Sequence, residues 1–223
     1  MRTFIKKWLW LPVHLGALTP LAILLWQGYQ DYFNGVFPPY LTVNPIQEIT
    51  FRTGKYALVL LVLSLACTPI NTVFGFKQVL PLRKPLGLYA FMYASLHFLT
   101  FIGLDYGFDL NLIYQAIFEK RYALVGFAAF MILLPLAITS NQWAMKRLGK
   151  NWKRLHRFVY LAALLVVIHF IWLVKSDIRE PLIYGAVVIL LLTLRISNIK
   201  RIINNYRRRA KTKFALDKVS STG

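Results

Sequence analysis

The chain has 223 residues, 57% of them hydrophobic, with a mean hydropathy of +0.52 and a formal net charge of +19. A soluble domain holds roughly 45–50% apolar residues, so this excess excludes an ordinary soluble fold, and basic residues scattered between apolar runs without a recognition module argue against nucleic acid. A lone cysteine, Cys67, excludes an intramolecular disulfide and a CxxC redox or metal pair, and reads as a buried apolar residue.

A spanning helix needs about 20 apolar residues, and runs of that kind occupy 8–28, 55–74, 85–104, 122–140, 156–175 and 181–198. They predict an all-α, polytopic membrane bundle of about six helices over residues 1–200, followed by a basic cytoplasmic tail at 201–223. The first run, Trp8 to Trp26, follows Arg2, Lys6 and Lys7 but is too long for a signal h-region and lacks an A-x-A cleavage pattern. It is expected to be a retained span. Breaker chemistry separates the later runs: Phe37-Pro38-Pro39 and Asn44-Pro45, Pro81 and Pro85, then Glu180-Pro181. No internal repeat or low-complexity tract is visible, and no separate soluble domain is expected.

Charge alternates with the runs. With the N-terminus inside, the inner segments hold 21 of the 27 Lys and Arg residues, and seven of the eight Asp and Glu residues fall outside. The positive-inside rule therefore places both termini in the cytoplasm. The tail residues Arg207, Arg208, Arg209, Lys211 and Lys213 are expected to meet anionic lipid headgroups. The outer acidic residues either steer a basic partner or are solvated loop charges.

The chemistry lies in His14, His97, His156 and His169, because a polar, ionisable group within a span is costly and marks function by default. His156 opens the fifth helix on the inner side, and His169 follows 13 residues later, about 20 Å along the axis. The third helix runs in the same direction and brings His97 to the depth of His169. Two imidazoles from two helices at one depth are suited to ligate a heme iron axially. Fourteen residues before His97 stands Arg83, where a symmetrical four-histidine protein would place its last ligand, so the inner site has His156 and, as an unusual partner or a propionate counterion, Arg83. Thirteen residues leave about 140° between His156 and His169 on an ideal helix, which requires the fifth helix to bend, bulge or use side-chain reach. His14, beside Gly16, fits either an interhelical hydrogen bond or a cofactor edge. Tyr89, Phe91, Tyr93, Phe98 and Phe101 near His97, and Phe158, Tyr160, Phe170 and Trp172 on the fifth helix, either line a heme or form packing and interfacial belts.

At these residues a family becomes recognisable. The run from Arg83-Lys84-Pro85-Leu86-Gly87-Leu88-Tyr89 to Leu96-His97-Phe98 and the run from Asn151-Trp152-Lys153-Arg154-Leu155-His156-Arg157 to His169-Phe170-Ile171-Trp172 carry most of the likeness. Phe51-Arg52-Thr53-Gly54, Thr68-Pro69, Lys120-Arg121-Tyr122 and Leu136-Ala137-Ile138-Thr139-Ser140 extend it over nearly the whole chain. The sequence resembles the MsrQ family, the heme-binding membrane subunits of bacterial periplasmic methionine sulfoxide reductase systems, within the ferric reductase-like transmembrane superfamily. The resemblance implies b heme, one or two per chain, and FMN, with no residue to which the flavin site carries over. It also implies electrons from the quinone pool or a flavin reductase, and a heterodimer with a periplasmic molybdopterin-containing catalytic subunit in the bacterial inner membrane. Wider relatives continue into a cytoplasmic flavin and nicotinamide domain. This chain stops about 25 residues after its last run, so a separate electron donor is expected.

The reading is therefore a redox subunit that relays electrons while substrate chemistry occurs on a partner. Its alternatives are a stand-alone ferric reductase or quinol-oxidising b-type cytochrome, and a transporter whose histidines relay protons.

Overall fold

In a computed structural model of the chain, described over residues 2–35, 40–42, 44–174, 177–196, 199, 201–203 and 205, the apolar runs are helical and no strand occurs among the described residues. The helices are α1 (Arg2–Phe33), α2 (Pro45–Phe74), α3 (Arg83–Leu99), α4 (Leu110–Glu119), α5 (Arg121–Ile138), α6 (Gln142–Leu148), α7 (Lys150–Leu155), α8 (Phe158–Leu173) and α9 (Arg179–Thr193). A short 3-10 segment, Lys77–Leu82, leads into α3, and a π-helical segment, Thr100–Asp105, follows it. The Phe37-Pro38-Pro39 turn, Lys175 and the basic residues Arg207 to Lys213 lie outside the described residues.

Five helical stretches are long and apolar enough to cross a membrane: Trp10–Phe33, Pro45–Phe74, Lys77–Asp105, Arg121–Ile138 and Lys150–Leu173. The chain is a polytopic helical membrane protein. The expected sixth run is represented by α9, which is helical over 15 residues, about 22 Å at 1.5 Å per residue. It ends where Arg195 turns inward, its guanidinium donating to the Tyr160 hydroxyl at 2.8 Å and to the Leu65 carbonyl.

The sequence reading starts the second span at residue 55, but α2 begins ten residues earlier, at Pro45. Proline is tolerated at a helix N-terminus, where its missing N–H has no acceptor to lose, and the Asn44 side chain caps the helix by accepting from the Gln47 N–H at 3.2 Å. The charges that ended the apolar run are neutralised in place. Arg52 pairs with Glu48 at 2.6 Å and donates to Gln27 at 2.7 Å, and Lys55 pairs with Glu180 at 2.6 Å. Other outer acidic residues also have local roles: Asp31 accepts from the Tyr40 and Leu41 N–H groups, and Asp109 caps α4.

Helices α2, α3, α5 and α8 surround the core, with Leu61, Leu65, Ala90, Tyr93, Leu133, Ala162, Ala163 and Val167 buried between them and Val188 of α9 closing one side. Helix α1 is fastened to α3 by two polar contacts. His14 Nδ1 lies 2.6 Å from the Tyr89 hydroxyl, and the fully buried Tyr93 hydroxyl donates to the Ala17 carbonyl at 2.7 Å. Cys67 is a free, buried thiol that donates to the Leu63 carbonyl.

Candidate functional site

His97, near the end of α3, and His169, near the end of α8, meet toward one end of the bundle with ring centres 6.1 Å apart and planes at 81°. Each ring is held from behind in the same way. His97 Nδ1 donates to the Thr50 carbonyl of α2 at 2.8 Å, and His169 Nδ1 donates to the Tyr122 carbonyl of α5 at 2.7 Å. A carbonyl only accepts, so each Nδ1 carries the proton and each Nε2 keeps its lone pair for a ligand.

The rings line a cavity of about 180 Å³ between α2, α3, α5 and α8, part of it open. Its largely apolar walls suit an apolar group. Phe98, Phe101, Phe127, Phe130 and Phe170 line it, together with Ile117 of α4. The buried Thr50 hydroxyl on this wall has no hydrogen-bond partner.

A heme fits these residues. His97 and His169, with ring centres 6.1 Å apart and each Nδ1 bound to a backbone carbonyl, would hold the iron of a heme, which would supply one-electron chemistry there. Among the described residues, no three His, Cys, Asp or Glu side chains gather as a free metal ion would require. An iron already held by a macrocycle needs only the two that are present.

The opposite end of the bundle is arranged differently. The helix breaks at His156–Arg157, between α7 and α8. Trp152 stacks on the His156 ring at 4.0 Å and donates to the Thr139 carbonyl at 2.9 Å. The Thr139 hydroxyl donates to the Pro135 carbonyl and stands 3.1 Å from His156 Nε2, which therefore acts as a donor toward it. Arg83 reaches the Thr68 hydroxyl at 3.4 Å, not the His156 ring. Thus the structure brings His97 and His169 together, while Arg83 hydrogen-bonds Thr68 and lies within electrostatic range of His156. Of the two openings for His14, the contact found is the interhelical one to Tyr89. Tyr89 and Tyr93 face α1, while Phe98, Phe101 and Phe170 line the cavity.

Sequence reasoning missed the backing groups, Thr50 and Tyr122, and the cavity glycines Gly54 and Gly126. It also found no repeat, yet one arrangement occurs twice. The histidine follows its carbonyl partner by 47 residues in both clasps, and Thr50, Gly54 and His97 recur as Tyr122, Gly126 and His169 at a constant offset of 72. That offset was available in the sequence, but the identities at most intervening positions differ.

The family profile described as ferric reductase like transmembrane component matches residues 53–167, more than half of the chain and almost all of this four-helix core. The curated protein-methionine-sulfoxide reductase heme-binding subunit MsrQ of Xanthomonas axonopodis pv. citri is 46% identical over 184 residues, covering 82% of this chain and 84% of that protein. The chain belongs to the MsrQ family. Family members of the same name from Xanthomonas oryzae pv. oryzae (strain MAFF 311018), 44% identical over 82% of this chain and 83% of theirs, and from Bordetella pertussis, 40% identical over 82% and 86%, agree over the same extent. Each clasp of this MsrQ-family chain has one member inside the matched core and one just outside it, with Thr50 three residues before the profile's start and His169 two residues beyond its end.

Proposed function

We propose that this MsrQ-family chain is a heme-binding electron-transfer subunit of a protein-methionine-sulfoxide reductase system, with both termini in the cytoplasm of a bacterium and the His97–His169 site toward the periplasm. The observation that carries the reading is the pair of cavity-lining imidazoles 6.1 Å apart, each with Nδ1 committed to a backbone carbonyl, which leaves Nε2 with a lone pair for a ligand. Bound heme supplies one-electron ferric–ferrous chemistry. The chain's own contribution is to fix both rings in one tautomer, to surround them with apolar side chains that exclude water, and to hold the site near the outer face.

At the inner end, His156 is the proposed ligand for a second heme, with Arg83 as its partner or as the counterion of a propionate. Its Nε2 would have to release Thr139 to serve. The electron donor is proposed to be the quinone pool or a flavin reductase, FMN a further cofactor, and the acceptor a periplasmic molybdopterin-containing subunit that reduces methionine sulfoxide. These finer assignments follow the family resemblance.

The test is spectroscopic. Purified protein should show a reducible Soret band, and His97→Ala and His169→Ala should each weaken it in correctly inserted protein. A wild-type band in both variants would remove the proposed site, and absence of any band in the parent would return the chain to the transporter reading. Co-purification with a molybdenum protein separates the repair subunit from a stand-alone ferric reductase.

A further inference from the structure

Two glycines sit where the clasps need them. Gly54 is on α2 one turn after Thr50, and Gly126 is on α5 one turn after Tyr122. A Cβ built on Gly54 would lie 3.0 Å from His97 Nδ1 and 3.1 Å from its Cε1, and one built on Gly126 would lie 2.7 Å from His169 Nδ1 and 2.8 Å from its Cε1. Below 3.0 Å something must shift. Both glycines are helical, so backbone freedom does not explain them; in an ordinary helix each would cost about 1 kcal/mol relative to Ala. What each provides is the absence of a side chain against one face of a histidine.

We propose that Gly54 and Gly126 are positioning residues for the two heme ligands, each forming the floor on which an imidazole rests so that its Nδ1–H reaches the carbonyl four residues earlier. The inference rests on the reading of His97 and His169 as axial ligands. The mechanism is steric and geometric. Without a Cβ, the ring approaches the helix closely enough to share a carbonyl already engaged in the helical ladder, and that bond sets the tautomer and the direction of Nε2. Adding a methyl group moves the ring off its floor, lengthens the bond to Thr50 or Tyr122 and rotates the ligating lone pair. Loss of an outer-shell partner of a metal-bound histidine typically costs about 10–100-fold in affinity. The tighter contact at Gly126 makes it the stricter of the two.

The experiment uses the full chain, purified with its heme, and reads heme retention, the midpoint potential and the electron paramagnetic resonance signature of the low-spin ferric iron. Gly126→Ala should weaken heme retention by about 10–100-fold, or keep heme with a shifted potential and resonance. Gly54→Ala should do the same to a smaller degree. Gly16→Ala is the control, because a Cβ there meets nothing within 4 Å. Should Gly126→Ala insert poorly, the double variant with His169→Ala decides: with the imidazole gone the added methyl has nothing to strike, so insertion level and melting temperature should return to those of His169→Ala alone. Persistent damage in that background would overturn the proposal. So would wild-type heme content, potential and resonance in both alanine variants. If instead His97→Ala and His169→Ala retain full heme, it is the ligand assignment that falls, and the two failures are told apart.

Discussion

His97 and His169 hold the same iron in the proposed site, so removing either should remove the same heme. The single variants and the double His97→Ala/His169→Ala should lose equal fractions of the Soret absorbance, about half of it where a second heme sits at His156 and nearly all of it where none does. Additive losses would show that the two histidines serve different sites. His156→Ala should then remove the remaining fraction and leave the outer spectrum unchanged. Arg83→Ala should reproduce the His156→Ala spectrum where the arginine serves the inner site, and leave heme intact where its role is confined to Thr68 and the lipid headgroups.

At the level of elements, α1 is held on α3 by hydrogen bonds from His14 to Tyr89 and from Tyr93 to Ala17. Interhelical hydrogen bonds in membranes contribute on average about 0.6 kcal/mol. His14→Phe and Tyr93→Phe should each lower the stability of the detergent-solubilised protein by about that amount, read from thermal unfolding, and retain full heme. Heme loss in His14→Phe would place His14 at the cofactor instead. The cap of α2 belongs to the same scale: Asn44→Ala removes the acceptor of the Gln47 N–H and should cost about 1 kcal/mol. Its effect on heme should be slight, because Thr50 lies beyond the first turn.

For the whole molecule, the decisive property is orientation. By the positive-inside rule, the 21-to-6 division of basic residues predicts both termini inside. Alkaline phosphatase fused after Gly223 should be inactive and a fusion near Asp109 active. The opposite pattern would reverse the direction in which electrons leave the His97–His169 site. The outer acidic residues matter little to this argument, since Asp31, Glu48, Asp109 and Glu180 are engaged within the chain. Neutralising the exposed Asp105 and Glu119 should leave the salt dependence of complex formation unchanged.

The sequence by itself determined that the chain is a helical membrane protein and which apolar runs are helical, it brought out the shared depth of His97 and His169, and it predicts which way the helices face. Those properties follow from hydropathy, charge and the fixed rise of a helix, which are local or additive along the chain. The angular offset between His156 and His169 was legible for the same reason, but not where the helix would break. Tertiary structure decided that α2 extends back to Pro45, because Glu48 and Glu180 neutralise, and Gln27 accepts a hydrogen bond from, basic residues that a hydropathy scan treats as an end. It alone revealed the clasps, since a backbone carbonyl has no sequence signature and a helical glycine acquires meaning only from the ring packed against it. It also turned Arg83 toward Thr68 and His156 toward Thr139, contacts set by how α2, α3, α5 and the α7–α8 break pack together, which spacing along one helix does not encode.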